Sequence, residues 1–145
     1  MIVSFKNRLV YSGHCDGLVY YWNKRLGKMI ARRYVVPKES NSNRRLGAIS
    51  RNLKALELSS GYIEDLKVYA AMHNFQPHDK CFLSWRNAFL KLMFALAKAE
   101  DEVDLLTITR EQIETDDLPC ISVKRAVEAG LLAPVSGYER LDSLI

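Results

Sequence analysis

The spacing of apolar residues changes near residue 40, from short strand-like runs to runs with helical periodicity. Residues 9–11, 18–22 and 29–36 are short runs rich in the β-branched and aromatic side chains that favour strands. Turn-forming residues occupy 13–17 and 23–27, and Pro37, which cannot donate a ladder hydrogen bond, ends the last run. We therefore predict an antiparallel hairpin that pairs residues 18–22 with about 29–35.

The predicted hairpin carries apolar side chains on both faces. Because side chains alternate along a strand, Leu18, Tyr20 and Trp22 point to one face, and Val19 and Tyr21 point to the other. A ribbon of two strands is at best marginally stable in water. We expect it to pack either on helices of its own chain or on a second chain.

Three helices are predicted between residues 44 and 98. The first begins near Arg44, with Ser42 or Asn43 as its cap. Its apolar residues recur at helical spacing and are predicted to face the core: Leu46, Ile49, Leu53 and Leu56. The second follows a break at 59–61 and ends before a loop at 74–80. Its inward residues are Ile63, Leu66, Tyr69 and Ala70.

The third predicted helix, residues 82–98, is the most apolar and is expected to form the centre of the core. Its main stripe comprises Trp85, Phe89, Leu92, Met93 and Leu96, widened by Phe82, Leu90 and Phe94. An acidic loop at 100–104 follows it.

Residues 103–145 give mixed signals. Residues 103–109 are predicted as a strand. Thr109 and Gln112 fit a capping box for a short helix, and Ser122 fits the cap of a helix over 123–129 that Gly130 ends. A turn is expected at 135–138.

These patterns predict an α+β fold in a single domain of residues 1–145. An N-terminal antiparallel β-hairpin (1–37) packs with a small bundle of about three helices (44–98), and the mixed segment (103–145) follows. A chain of 145 residues is long enough to bury a core in one domain.

Charge is divided unevenly along the chain. The first 60 residues contain 12 Lys or Arg and 3 Asp or Glu, whereas residues 61–145 contain 9 and 14. The net charge of +4 therefore combines a segment of +9 with a segment of −5. A basic segment suits an anionic partner, and the acidic remainder can equally serve as its counterpart in a neighbouring subunit.

Composition places the chain among globular proteins. Hydrophobic residues make up 48% and charged residues 26%, which is too apolar for a disordered chain. Cys15, Cys81 and Cys120 are widely spaced, so we expect reduced thiols. The sequence shows neither a secretory signal nor an apolar run of membrane-spanning length. We expect a protein of the cytoplasm, or of a particle assembled there, with no membrane contact.

One group of residues has the chemistry of a metal site without its usual spacing. His73, His78 and Cys81, with Asp79 between the last two, lack the second close ligand pair typical of zinc sites. We therefore predict no metal site.

A second group has the chemistry of a catalytic triad. His14, Cys15 and Asp16 supply a base, a nucleophile and a carboxylate, but adjacent residues point apart, and triads are assembled from side chains that converge in space. The chain also lacks a phosphate-binding glycine loop and a nucleophile elbow. We predict no catalytic residue, no cofactor and no small-molecule substrate, and therefore a protein that is not an enzyme.

The basic residues are the one group of side chains for which the sequence indicates a function. They are Lys24, Arg25, Lys28, Arg32 and Arg33 in the hairpin and Arg44, Arg45, Arg51 and Lys54 in the first helix. Such residues can bind phosphates, or they can protect exposed sheet edges from aggregation. The neighbouring aromatic residues can stack on bases or form subunit contacts: Tyr20, Tyr21, Trp22 and Tyr34.

Residues 13–54 resemble uncharacterised small proteins of bacteria and their phages. The shared features are the aromatic run 18–22, Gly-Lys at 27–28, Arg-Arg at 32–33, Pro37, Asn41 and a basic helix opening near Arg44. The Pro and the Thr-Glu-Gln helix start usual in that loop are replaced here by the residues at 42–45. The resemblance implies a structural protein of a phage or mobile element, and it assigns no catalytic residue.

Two functional hypotheses follow. In the first, the chain is a structural subunit that contacts further copies or other proteins through Tyr20, Tyr21, Trp22 and Tyr34. In the second, it is a nucleic-acid-binding module that places its basic hairpin and first helix on phosphates.

Overall fold

Strands and helices occupy separate parts of the chain, so the fold is α+β, as predicted. The computed structural model describes residues 2–5 (backbone), 12–23, 26–76 and 81–145. The chain divides into two compact units, Met1–Ser40 with the strands and Asn41–Ile145 with the helices. In the sequence, the change from strand-like to helical apolar spacing falls at the same point, between residues 37 and 44. That the whole chain is one domain stays a prediction.

In the described part of the first unit, four antiparallel strands form one sheet. They are β1 (Ile2–Phe5), β2 (Gly13–Cys15), β3 (Leu18–Asn23) and β4 (Lys28–Arg33), in the order β1-β4-β3-β2. The predicted pairing of β3 with β4 is confirmed, with Leu18 opposite Arg33 and Asn23 opposite Lys28. Two expectations are wrong: β4 ends at Arg33 rather than at 35, and the hairpin is not an isolated ribbon because a strand flanks it on each side.

A two-residue turn joins β2 to β3. Asp16 and Gly17 both have positive φ, as a type I′ turn requires, and Cys15 pairs directly with Leu18. The turn predicted at 13–17 is therefore shorter than expected, because 13–15 belong to β2. The strand predicted at 9–11 lies outside the described residues.

Three long helices build the second unit: α1 (Asn41–Ala55), α2 (Ser60–Phe75) and α3 (Trp85–Ala99). Helix α1 begins before the predicted Arg44, so Ser42 and Asn43 lie inside it. Ser59 caps α2, its hydroxyl accepting a hydrogen bond from the Tyr62 amide. Helix α2 also extends to Phe75, into the loop predicted at 74–80, of which 77–80 lie outside the described residues.

Most of the predicted core residues are buried. The exceptions are Leu46 and Phe94, which are exposed, and Ile63, Phe82, Trp85 and Leu90, which are half-buried. At the centre of this core, the rings of Tyr62 and Phe89 meet edge to face with their centroids 6.2 Å apart.

Residues 103–109 form a turn, so the predicted strand is wrong. The carbonyl of Asp104 accepts hydrogen bonds from the amides of Thr107 and Ile108, and its carboxylate accepts one from the Leu106 amide. The side chain of Asn52 on α1 donates to the carbonyls of Leu105 and Ile108. The bonds to Asp104 and to Asn52 thus occupy backbone groups that would pair with a neighbouring strand if this segment were a strand.

Two short helices follow at the predicted places, α4 (Arg110–Thr115) and α5 (Val123–Glu128). Thr109 accepts a hydrogen bond from the Gln112 amide, and Ser122 accepts one from the Arg125 amide, so both predicted caps are confirmed. Gly130 ends α5 with a φ of +74°, and the predicted turn lies at 136–137.

The segment 103–145 closes the core of the second unit. The hydroxyl of Tyr62 donates to the carbonyl of Cys120 at 2.8 Å, and that of Tyr69 donates to the carbonyl of Ala133 at 2.9 Å. No described helix is long and apolar enough to span a membrane.

Residues 143–145 are held against the start of α2 by several polar contacts. The Ser59 hydroxyl donates to the Leu144 carbonyl at 2.6 Å, and the Ser143 amide donates to the Asp65 carboxylate at 2.9 Å. A Cβ on Gly61 would lie 3.2 Å from the Ser143 side chain, a tight contact that Ser143 would relieve by moving a few tenths of an ångström. The side chain of Ile145 enters the core with 1% exposure.

Shortening Ile145 should therefore destabilise the helical unit. We expect Ile145→Ala to lower the free energy of unfolding by about 2–5 kcal/mol, the usual cost of removing a buried aliphatic side chain. Leu144→Ala is the matched control, because this neighbour is 62% exposed and should change stability by less than about 0.5 kcal/mol. Urea unfolding followed by circular dichroism measures both, and equal effects would contradict the packing described.

Candidate interaction surfaces of the sheet and the helices

The register of the sheet assigns each described side chain of β2, β3 and β4 to one of two faces. Directly opposed residues share a face. The first face carries Leu18, Tyr20 and Trp22 from β3, with Met29, Ala31 and Arg33 from β4 and Cys15 from β2. The second face carries Val19 and Tyr21, with Lys28, Ile30 and Arg32 from β4 and His14 from β2.

The predicted partner-binding residues are divided between these faces. Tyr20 and Trp22 lie on the first face, and Tyr21 lies on the second. Tyr34 follows the end of β4, where its amide donates to the Gly17 carbonyl at 2.8 Å. The Tyr34 ring lies 4.5 Å from that of His14, which places it beside the second face.

Burial differs between the strands of the sheet. Strands β3 and β4 are the two interior strands, but Met29, Ile30 and Ala31 on β4 are buried, whereas every residue of β3 is half-buried. The aromatic side chains of β3 are thus partly accessible on both faces. Neither face of β3 is a polar surface of the kind that usually faces water in an antiparallel sheet.

An exposed apolar segment continues from β4. Tyr34, Val35 and Val36 are 46%, 72% and 66% exposed, and they precede the exposed polar residues 38–40. Three consecutive apolar side chains in this condition form a surface suited to contact with another molecule.

The basic residues of β4 also divide between the faces. Lys28 and Arg32 lie on the second face, and Arg33 lies on the first; all three are exposed. The guanidinium carbon of Arg32 lies 5.7 Å from the centre of the Tyr21 ring, within cation–π distance. Lys24 and Arg25 lie outside the described residues.

The basic residues of α1 occupy two sectors of the helix. At about 100° per residue, Arg44, Arg51 and Lys54 fall within roughly 80° of one another, whereas Arg45 is turned away from them. All four are exposed. Arg45 lines a groove of about 750 Å³ with Phe94, Lys98, Asp101 and Asp104, so carboxylates balance the positive charge there.

Arg51 and Lys54 line a different groove, which we name the Trp85 groove. Its volume is about 620 Å³, and helices α1, α2 and α3 all contribute to it together with the α1–α2 connection. The apolar lining residues are Leu53, Leu58, Ile63, Trp85, Phe89 and Leu90. Sequence reasoning assigned Trp85 to the core and gave Arg86 no role. The adjacent Trp85 and Arg86 at the start of α3 are the signal in the sequence that points to this groove.

The residues considered for a metal site do not form one in the described part of the chain. His73 is buried against the rings of Tyr69 and Phe82, with centroids 6.0 Å and 4.5 Å away. Cys81 is half-buried, whereas His78 and Asp79 lie outside the described residues. Among the described residues, no three His, Cys, Asp or Glu side chains are placed to hold a metal ion.

The residues considered for a triad are turned apart. His14 and Cys15 are successive on β2 and lie on opposite faces of the sheet, and Asp16 lies in the turn that follows. All three are exposed. This arrangement does not direct a base and a carboxylate toward the Cys15 thiol.

Cys120 is buried in surroundings that disfavour the thiolate, which is the nucleophilic form of a cysteine. Burial raises the pKa of its thiol from 9.0 to about 12. Burial also raises the pKa of Tyr69 to about 12 and that of Tyr62 well above 10.0. The core of the helical unit therefore strongly favours the neutral forms of these groups.

Stability should fall at alkaline pH because the unfolded chain loses these protons first. Between pH 9 and 10 the Cys120 thiol ionises in the unfolded chain but stays protonated in the folded one. This contributes a loss of up to about 1.4 kcal/mol per pH unit. We expect Cys120→Ala to show a smaller loss of unfolding free energy over this range than the parent chain. Cys15→Ala, at an exposed thiol, should keep the parental loss.

Urea unfolding at pH 8, 9 and 10 measures this difference. An identical alkaline loss in the parent chain and in Cys120→Ala would show that this thiol is not the group responsible.

Comparison with known proteins identifies no relative for this arrangement. No protein-family model, no curated protein and no solved structure matches the chain.

Proposed function

We propose that this protein is a non-enzymatic assembly subunit whose N-terminal sheet contacts a second copy of the chain. The observation that carries the proposal is the presence of half-buried apolar side chains on both faces of β3. Trp22 on the first face and Tyr21 on the second are large amphipathic side chains of the kind enriched at protein interfaces.

The exposed segment after β4 supports the same surface. Val35 and Val36 are among the more exposed large apolar side chains of the described residues. Complete burial of each would contribute roughly 1.5–3 kcal/mol, part of which offsets the loss of translational and rotational freedom on association. A partner that buries Val35 and Val36 therefore gains binding free energy, because these side chains are exposed to water in the isolated chain.

Charge supports a second copy as the partner. Lys28, Arg32 and Arg33 are exposed on the sheet. On the helical unit, the segment after α3 exposes four carboxylates against the two cations that share the groove beside Phe94, Arg45 and Lys98; the carboxylates belong to Glu100, Asp101, Glu102 and Asp104. Contacts between the basic sheet of one copy and the acidic segment of another are electrostatically complementary. Such contacts weaken with salt, which gives the proposal a measurable property.

The resemblance of residues 13–54 to small bacterial and phage proteins suggests the setting. We include in the proposal a particle of a phage or mobile element that is assembled in the cytoplasm. This part is supported by the resemblance alone and is independent of the contact surface argued above.

The assembly should depend on the segment after β4. By size-exclusion chromatography with light scattering, we expect a mass above that of one 16.6 kDa chain at low salt and a lower mass at high salt. The double substitution Val35→Ser/Val36→Ser should weaken association at least tenfold, or by about 1.4 kcal/mol. Phe75→Ser is the matched control, because Phe75 is 87% exposed but belongs to the helical unit.

Two results would reject the assembly proposal. One is a chain that remains a monomer at every salt and protein concentration. The other is equal weakening of association by the valine variant and by Phe75→Ser, which would indicate non-specific apolar contact.

Nucleic acid is a second candidate partner, favoured by one feature of the second face. There Lys28 and Arg32 lie beside Tyr21, and the Arg32 guanidinium lies over the Tyr21 ring. Cations with an aromatic ring on one surface are suited to phosphates and a stacked base. On the helical unit, Arg44, Arg51 and Lys54 share one sector of α1 and offer cations to phosphates in their own right.

A gel-shift titration with single-stranded and duplex DNA tests this second candidate. Lys28→Gln/Arg32→Gln should weaken binding and should reduce the slope of log affinity against log salt by roughly one per lost phosphate contact. Arg33→Gln removes the adjacent charge on the opposite face, and it should retain most of the affinity. The absence of any shift at low salt would eliminate nucleic acid as a partner.

A further inference from the structure

We propose that the Trp85 groove is a binding site for a small amphipathic anion, with an apolar chain and one terminal phosphate or carboxylate. The described lining of this site comes wholly from the helical unit, and it includes no residue of the sheet surface proposed for assembly. Its volume of about 620 Å³ is within the usual range of ligand-binding pockets.

The lining of the groove specifies an apolar body for the ligand. Leu53 and Phe89 are buried, and Leu58, Ile63, Trp85 and Leu90 are half-buried, so their accessible parts form an apolar surface. Ser50 and the indole N–H of Trp85 are the uncharged hydrogen-bonding groups among the side chains of the described lining. A base or a sugar would need several directional hydrogen-bond partners, whereas an alkyl chain needs none.

The edge of the groove specifies a negative charge for the ligand. Arg51 and Lys54 come from α1 and Arg86 comes from α3, and all three are exposed. The one carboxylate of the described lining, Glu57, forms no ion pair with any of them. Three cations against one carboxylate leave a positive edge beside an apolar surface, which is complementary to an amphipathic anion.

The position of Arg86 connects these two parts of the site. Its guanidinium carbon lies 5.3 Å from the centre of the Trp85 ring. The cation is thus held beside the apolar surface, at the place where the charged end of a bound chain would emerge. The groove beside Phe94 lacks this asymmetry, because Asp101 and Asp104 balance Arg45 and Lys98 there.

Octyl phosphate is the probe that tests the site, with 1-octanol and inorganic phosphate as its two halves. The chain contains two tryptophans, so Trp22→Phe leaves Trp85 as the only intrinsic tryptophan reporter. We expect a saturable change in Trp85 fluorescence with octyl phosphate, and at least tenfold weaker binding of each half. Calorimetry with the unsubstituted chain repeats the comparison without depending on that substitution.

Charge variants on one helix separate this site from general apolar binding. Arg51→Gln/Lys54→Gln should weaken octyl phosphate binding at least tenfold, whereas Arg45→Gln on the same helix should change it less than twofold. Circular dichroism of each variant controls for folding.

Four results would overturn the proposal: no saturable binding of octyl phosphate, octanol binding as tightly as octyl phosphate, adenosine monophosphate binding as tightly as octyl phosphate, or equal effects of the two charge variants. The Val35→Ser/Val36→Ser chain should still bind octyl phosphate, so failure of this site and failure of the assembly proposal are distinguishable.

Discussion

The alternation of side chains along β3 is the constraint on which the proposed function depends. Successive residues of a strand point to opposite faces, and the run from Leu18 to Trp22 has no polar member between its apolar ones. Strand β3 therefore cannot divide its side chains between one apolar face and one solvated face, as most strands of antiparallel sheets do. Pairing with β2 and β4 satisfies the backbone of β3 but leaves its side chains only half-buried. These half-buried apolar side chains are the surface that we propose a second copy of the chain covers.

The helical unit buries its core side chains with residues of its own. Its long helices bury their apolar stripes against one another and against residues 103–145, which are tied down by hydrogen bonds from Tyr62, Tyr69 and Asn52. The two grooves of this unit differ in charge. Cations outnumber carboxylates in the lining of the Trp85 groove, whereas Asp101 and Asp104 balance Arg45 and Lys98 in the groove beside Phe94. Exposed large apolar side chains remain on both units, Val35 and Val36 on the sheet unit and Phe75 and Leu83 on the helical unit. The proposed assembly surface and the proposed ligand site belong to different units.

The sequence predicted those features whose determinants lie close together in the chain. The β3–β4 pairing, the caps at Thr109 and Ser122, and the main stripe of α3 all follow from local patterns. Residues 103–109 were predicted wrongly because a β-prone composition was overridden by Asn52, which is distant in sequence and supplies hydrogen bonds across the fold. The Trp85 groove was missed for the same reason, since its cations come from two helices that only the fold brings together, and the adjacent Trp85 and Arg86 are its one local signal in the sequence.

The central claim is that the sheet is the surface on which copies of the chain meet. Amide hydrogen exchange at low and high protein concentration tests it most directly, because it locates protection along the backbone. We expect slower exchange at high concentration in residues 13–15 and 28–36, with α2 and α3 unchanged. Exchange in the sheet that does not depend on concentration, or new protection confined to the helical unit, would contradict it.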